Sequence, residues 1–241
     1  AVRVRSRATN VRSTQSNALR NVANARSSHR DRAQRPTRVQ FWALLVRTLL
    51  ESPALPLLPA DEQAIGSAVQ AVAAMPRPLR RLSTVRQNLP KAGANSLHDR
   101  LGRWCVGGEL GWVFDASDDR LGDLQDAGAI GFDTTEFLDR PEVRTPVMLV
   151  LLDVMDELID GRRLIYSISE FWKALDHPAF TEFAKVKQKT IRKQNGLGIF
   201  DTQSPSDVLR HPIGRTMIEQ SVTKIFLANP EAVREEYVDG F

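Results

Sequence analysis

No Gly-Lys pair occurs anywhere in the 241 residues. The motif G-x-x-x-x-G-K-[ST], whose backbone and lysine cradle phosphates, is therefore not within this sequence. Cysteine is nearly as scarce. Cys105 stands alone, which excludes an internal disulfide framework and suits a reducing compartment. No His, Asn or Asp forms a recognisable motif around it, so it reads as a buried thiol rather than a nucleophile. His29, His98, His177 and His211 are scattered and lack metal-ligand spacing. Every apolar run is shorter than a membrane span, and 142–161 is broken by acids, so no transmembrane helix is expected. Residues 1–38 contain no lysine, no aromatic and no isoleucine.

What residues 1–38 do contain is ten Arg, one Leu and one acid, Asp31. Their balance of +9 against +4 for the whole chain leaves −5 on the remainder, so an acidic domain follows a basic leader. The leader cannot bury enough apolar area to offset the entropy of ordering and is expected to be disordered. Three readings fit it: a basic arm for nucleic acid or anionic lipid, an organelle transit peptide, and a vestigial or out-of-frame leader. The last is preferred, because aromatics that stack on bases are missing and the chain does not begin with Met.

From Val39 the texture changes. Phe41–Glu51 has helical apolar spacing. After Pro53, Pro56 and Pro59, Asp61-Glu62-Gln63 opens a second helix with acids where the helix dipole favours them. Ser96 is the expected N-cap of a third, reaching Trp104. Residues 39–105 therefore read as a helical lobe, and 106–241 as an α/β portion. In the latter, Trp112-Val113-Phe114 and Ala129–Phe132 are strand candidates. Asp139-Arg-Pro-Glu142 opens a helix, with Asp139 as N-cap, that is apolar on nearly all sides and so buried. Leu164–Ile168 reads as a central strand. Asp176-His-Pro opens the next helix, which stops at Asn195-Gly196. Leu197–Phe200 is a strand, Pro212–Gln220 a helix and Thr223–Leu227 a last strand. The alternation predicts an α/β fold with a mostly parallel sheet.

Two of these strands end abruptly in polar residues, which in a parallel sheet is where side chains reach a ligand crevice. The first ends in Glu170, the second in Thr202 and Gln203. An acid and an amide on neighbouring strand ends are what a nucleotide-hydrolysing site uses to polarise and orient water.

The strings RWCVGGELGWVFD (103–115), IGFDTTEFLDRPEVRTPV (130–147), ELIDGRRLIY (157–166), EFWKALDHPAF (170–180), KTIRKQNGLGIF (189–200), TQSPSDVL (202–209), KIFLANP (224–230) and YVDGF (237–241) resemble the type IV secretion and conjugation traffic ATPases of the CagE/TrbE/VirB component family. The match covers the C-terminal part of that family; 59–105 resembles it more weakly and 1–38 not at all. The resemblance implies a RecA-like, P-loop NTPase-type domain, 106–241, that uses ATP and Mg. It implies a homo-oligomer, hexameric in the family, working with other secretion-system subunits at the cytoplasmic face of the bacterial inner membrane. Leu164–Glu170 takes the place of the Walker B strand. Glu170 would polarise water, Gln203 and Thr202 would face the γ-phosphate, and Arg192 or Lys193 would stabilise phosphate charge, in a neighbouring subunit if not their own.

Four departures matter physically. Ser169 stands where the family has the magnesium-holding Asp, and a neutral hydroxyl does not replace a carboxylate there. Ser167 puts a hydroxyl where an apolar sheet residue is expected. Asp201 replaces an Ala, bringing a carboxylate that repels a triphosphate unless neutralised. The phosphate-cradling loop is missing. The expectation is thus a truncated secretion-ATPase portion without hydrolysis of its own. The alternatives are a non-catalytic module that docks onto intact subunits through the Arg192 and Gln203 face, and a nucleic-acid binder acting through the leader.

Overall fold

The structure, a computed structural model, describes residues 4–6, 38–115, 128–137, 139–174, 190–230 and 232–241. They divide into two compact units, one of residues up to 151 and one from 152 onward.

The first unit has a helical core. Helix α1 (Arg38–Leu50) buries Leu45, Val46, Leu49 and Leu50. Helix α2 (Pro59–Ala73) buries Ile65, Ala68, Val69 and Val72, the i, i+3, i+4, i+7 stripe that carries a helix onto a core. Asp61 and Glu62 lie in its first turn as expected, and Asp61 accepts a hydrogen bond from the Leu58 N–H at 2.9 Å. Helix α3 (Leu82–Gln87) follows, then α4 (Leu97–Gly102), whose N-cap is Ser96 as the sequence predicts. The Ser96 hydroxyl accepts from the Asp99 N–H at 3.2 Å. Trp104 is buried and donates its indole N–H to the Leu49 carbonyl at 3.1 Å.

Trp112-Val113-Phe114 is a correction: it is not a strand but part of a helical turn, α5 (Gly111–Phe114). The reason is non-local. The fully buried Asp115 carboxylate accepts from Val106 N–H at 2.8 Å and from Ser83 N–H and Oγ at 3.3 Å, folding the segment back on itself. Gly108 and Gly111 pack so closely on the 102–105 backbone that a Cβ on either would fall within 2.3 Å of a carbonyl oxygen. An extended strand has no such approach. Trp112 is half exposed.

Strand β1 (Val4–Ser6) pairs antiparallel with β2 (Ile130–Phe132), Val4 opposite Phe132. β2 lies where a strand is expected. β1 lies in the leader, for which no order is expected; backbone pairing onto a free strand edge asks little of the side chains. Residues 7–37 lie outside the described residues. Helix α6 (Pro141–Leu158) is buried through its middle as expected, at Val143, Pro146, Val147, Met148, Leu149, Leu151 and Leu152. Its start is a small correction. Pro141 takes the first helical position, so the preceding residue is Arg140, whose carbonyl accepts from Val143 and Arg144 N–H, rather than Asp139. Glu142 binds Arg140 and Arg103, each at 3.1 Å, and the Arg140 bond leads in holding its carboxyl below the usual range.

The second unit is built on β3 (Leu164–Ser169) and β4 (Gly196–Asp201), paired in parallel and in register from Leu164↔Gly196 to Ser169↔Asp201. One face is apolar and covered: Tyr166 and Ile168 are buried, and Tyr166 lies over Gly198, where a Cβ would come within 2.7 Å of the phenol oxygen. The helix expected after Asp176 lies outside the described residues except for its end. There, Ile191–Gln194 forms a 3-10 turn and Asn195 closes it in the left-handed region at φ 63°, as the Asn-Gly stop predicts. After β4 come α7 (Pro205–Arg210), α8 (Gly214–Gln220) and α9 (Arg234–Val238).

Two further expectations fail here. Thr223–Leu227 is not a strand: 221–229 has no regular structure, and Val222, Ile225 and Leu227 are more than four-fifths exposed. Its one aromatic ring, Phe226, is half exposed but meets Tyr237 and Phe241 with centroids 5.4 and 5.5 Å away, which ties the run to the C-terminal residues. The sheet holding Leu164–Ile168 is therefore two-stranded among the described residues. Ser167 is not in a sheet interior either. It is exposed on the open face with Ile165, Leu197 and Ile199, so its hydroxyl meets water.

Candidate functional site at the β3–β4 strand ends

Strand alternation turns Tyr166 and Ile168 inward and Ser167 and Ser169 outward. Continued by one residue, it would point Glu170 into the aromatic layer. Instead Glu170 adopts φ 51°, a left-handed conformation uncommon for a non-glycine residue. That reversal leaves Glu170 half-buried and lets the next residue, Phe171, become fully buried at the start of the 3-10 turn Phe171–Ala174. Phe171 stacks on Phe200 at 4.7 Å, and Phe200 meets Tyr166 edge-on at 5.8 Å. The cluster bolts the end of β3 to the end of β4 and holds the strained residue between them. Backbone strain held by a packed surround is common at functional sites.

On the open face the register sets Ser169 opposite Asp201, and the Ser169 hydroxyl donates to Asp201 Oδ2 at 2.9 Å. Both are exposed. Thr202 follows, half-buried, its Oγ1 accepting from the Ser204 N–H and donating to the Ser204 carbonyl, each at 3.2 Å. Gln203 is exposed beyond it. The fold thus gathers Ser169, Glu170, Asp201, Thr202 and Gln203 at one sheet edge, the carboxyl end of two parallel strands. Arg192 and Lys193 are not part of that group. They are exposed on the 3-10 turn before β4, one strand length of roughly 17 Å from Asp201 at about 3.3 Å per residue.

Sequence reasoning treated Ser169 and Asp201 as independent departures and missed their pairing. The signal was present, since each is the last residue of its strand. Glu170's strain had no sequence signal, because glutamate gives no hint of a positive φ. A hollow in the first unit, lined by Arg81, Val106, Trp112 and Asp115, offers no comparable chemistry. Both Asp115 oxygens are already engaged by Ser83, Val106 and Arg81. No cluster of three metal-binding side chains and no helix long and apolar enough to cross a membrane occurs among the described residues.

Parallel strands that deliver an acid and an amide to one edge, between helices, define an α/β protein with its polar groups at the carboxyl ends of the strands. Comparison with known proteins narrows this. The TraG P-loop domain family matches residues 94–235. The type IV secretion system protein PtlC of Bordetella pertussis is 45% identical over 211 residues, covering 84% of this chain and 26% of that protein. VirB4 of Brucella abortus is 42% identical over 214 residues, covering 84% and 26%, and VirB4 of Bartonella henselae 44% over 181, covering 75% and 23%. The chain belongs to the TraG P-loop domain family, among its type IV secretion proteins. It spans about a quarter of the length of the curated relatives it matches.

Proposed function

We propose that this chain is a portion of a type IV secretion ATPase subunit of the VirB4 kind, with the β3–β4 edge as its nucleotide-facing surface and no ATP hydrolysis of its own. The similarity to secretion proteins along most of the chain supports the role. The observation that carries the lack of hydrolysis is the composition of the edge: two carboxylates, Glu170 and Asp201, with the nearest cations of the proposed set, Arg192 and Lys193, at the far end of β4. Phosphoryl transfer depends on positioning and charge neutralisation. The 241 residues contain no Gly-Lys loop to supply either, and the edge itself brings no cation to a triphosphate. The hard oxygen donors of Ser169 and Asp201 do fit a divalent cation, which would neutralise charge there. Glu170 would orient water and Gln203 would contact a phosphate once a complete site is assembled. The RecA-like arrangement, an oligomer of such subunits, association with other secretion components at the inner membrane, and the division into a leader (1–38), helical lobe (39–105) and ATPase portion (106–241) belong to the same reading.

Phosphate release from ATP by the purified chain tests it. The expected result is the same background rate for the chain and for Glu170→Gln. Turnover that Glu170→Gln abolishes would contradict it. A second reading, a non-catalytic module that docks on intact VirB4-type subunits, is supported by the open sheet face, where Ile165, Leu197 and Ile199 are exposed together. Co-purification with a full-length relative, lost on Leu197→Lys, is its expected outcome.

A further inference from the structure

We propose that residues 222–228 are an unpaired strand that joins two copies of this chain, antiparallel about a twofold axis through Ile225. The contact lies outside the nucleotide reading and uses none of the β3–β4 edge. From 221 to 229 the chain has no helix, turn or bend. Val222, Thr223, Ile225, Phe226 and Leu227 are residue types that strands favour. Yet among the described residues no hydrogen bond reaches the backbone of 222–228. Val222, Ile225 and Leu227 are 93%, 81% and 83% exposed, and Thr223 and Lys224 are exposed with them. Both ends of the run are nevertheless held. The Ser221 N–H donates to the Met217 carbonyl of α8, and the Asn229 amide donates to the Tyr237 hydroxyl at 3.3 Å. Pro230, with no N–H, ends the run. A pre-ordered apolar run with free N–H and C=O groups is a template for another strand.

The side-chain pattern selects a second copy as that strand. Alternation puts Thr223, Ile225 and Leu227 on one face and Val222, Lys224 and Phe226 on the other, where Phe226 meets Tyr237 and Phe241. Antiparallel self-pairing centred on Ile225 uses all seven residues from Val222 to Ala228. It sets Ile225 opposite Ile225 and Leu227 opposite Thr223, so the two apolar stripes form one continuous face. It also sets each Lys224 opposite a Phe226 ring, which attracts a cation. Neighbouring registers are worse. Centring on Lys224 opposes two like charges. Centring on Phe226 leaves Val222 unpaired and brings both Tyr237–Phe241 clusters to one place. A one-residue slip turns the two stripes to opposite faces. The contact is isologous, so it closes at two copies. A two-stranded ribbon is marginal by itself, so the dimer forms in a concentration-dependent equilibrium.

The test is sedimentation equilibrium of the full chain over a range of concentrations, and the expected result is a monomer–dimer equilibrium. Ile225→Lys opposes two charges on the axis and should weaken the dimer by about tenfold or more. Ile225 is exposed in the single chain, so the variant's thermal midpoint in dilute solution should match that of the unaltered chain. Leu197→Lys, on the open β3–β4 face, should dimerise as the unaltered chain does. Disulfide formation under mild oxidation reads the register. Ile225→Cys should cross-link to its own copy, because opposed Cβ atoms lie about 4.5–5.5 Å apart. Thr223→Cys alone should not, because its copy lies about 13 Å along the ribbon; mixed with Leu227→Cys it should. Cys105 is buried and stays out of the reaction. A monomer at every concentration, assembly beyond two copies, or a dimer that Ile225→Lys leaves intact would overturn the proposal. The phosphate-release assay does not depend on this contact, so either reading can fail alone.

Discussion

Glu170 carries a local cost. A left-handed conformation at a residue with a Cβ costs about 1 kcal/mol or more relative to glycine. It is sustained here because the reversal seats Phe171 against Phe200. Glu170→Gly should therefore leave the protein as stable or up to about 1 kcal/mol more stable, while Glu170→Ala gains nothing, in urea unfolding followed by tryptophan fluorescence. A loss of stability in the glycine variant larger than in the alanine variant would mean that the strain is not real. Two buried acids set a second residue-scale prediction. Burial, reinforced by the nearby Asp115 charge, pushes the Cys105 thiol from 9.0 up to about 11. Burial also pushes the Tyr166 phenol from 10.0 up to about 12. Each group holds its proton more tightly folded than unfolded, so its contribution is complete below the unfolded value and is lost as pH rises towards the folded one. Stability should be flat with respect to these groups up to pH 9 and fall between 9 and 11 by on the order of 2 kcal/mol through Cys105. Tyr166 adds its share from pH 10. Urea midpoints across pH 7 to 11 check this, and Cys105→Ala should remove the portion that begins at pH 9.

At the level of elements, the helices could be read where local chemistry decides them. Ser96 caps α4, the acids open α2, and Asn195 closes its turn in the left-handed region, each as short-range propensity requires. Ser96→Ala should cost about 1 kcal/mol in urea unfolding by leaving the Asp99 N–H without its acceptor; no measurable change would show that the cap is not used. What could not be read was decided at long range. Trp112-Val113-Phe114 has strand propensity, but Asp115 reaches back to Ser83 and Val106 and curls it into a turn. Thr223–Leu227 has it too, yet Phe226 packs on Tyr237 and Phe241. For the site, the residues were legible and their grouping was only partly so. The strand ends gave Glu170, Asp201, Thr202 and Gln203 a common edge, whereas Arg192 and Lys193 are sequence neighbours of β4 that the strand's length carries to its opposite end.

For the whole molecule, the family relationship and the site pull in different directions. The chain belongs to a P-loop family, yet the matched stretch contains no Gly-Lys pair, and the edge that would face phosphate carries acids. The apolar surface left open on the β3–β4 sheet and along 222–227 fits a portion designed to be covered in a larger assembly. The central claim is that these residues keep the water-orienting edge of a secretion ATPase without gripping the nucleotide. The most direct measurement is the thermal melt of the purified chain in a fixed excess of Mg²⁺, with and without ATP. A ligand that binds only the folded state raises the midpoint by mass action. The account predicts the same midpoint in both melts; an upward shift that grows with ATP concentration would contradict it.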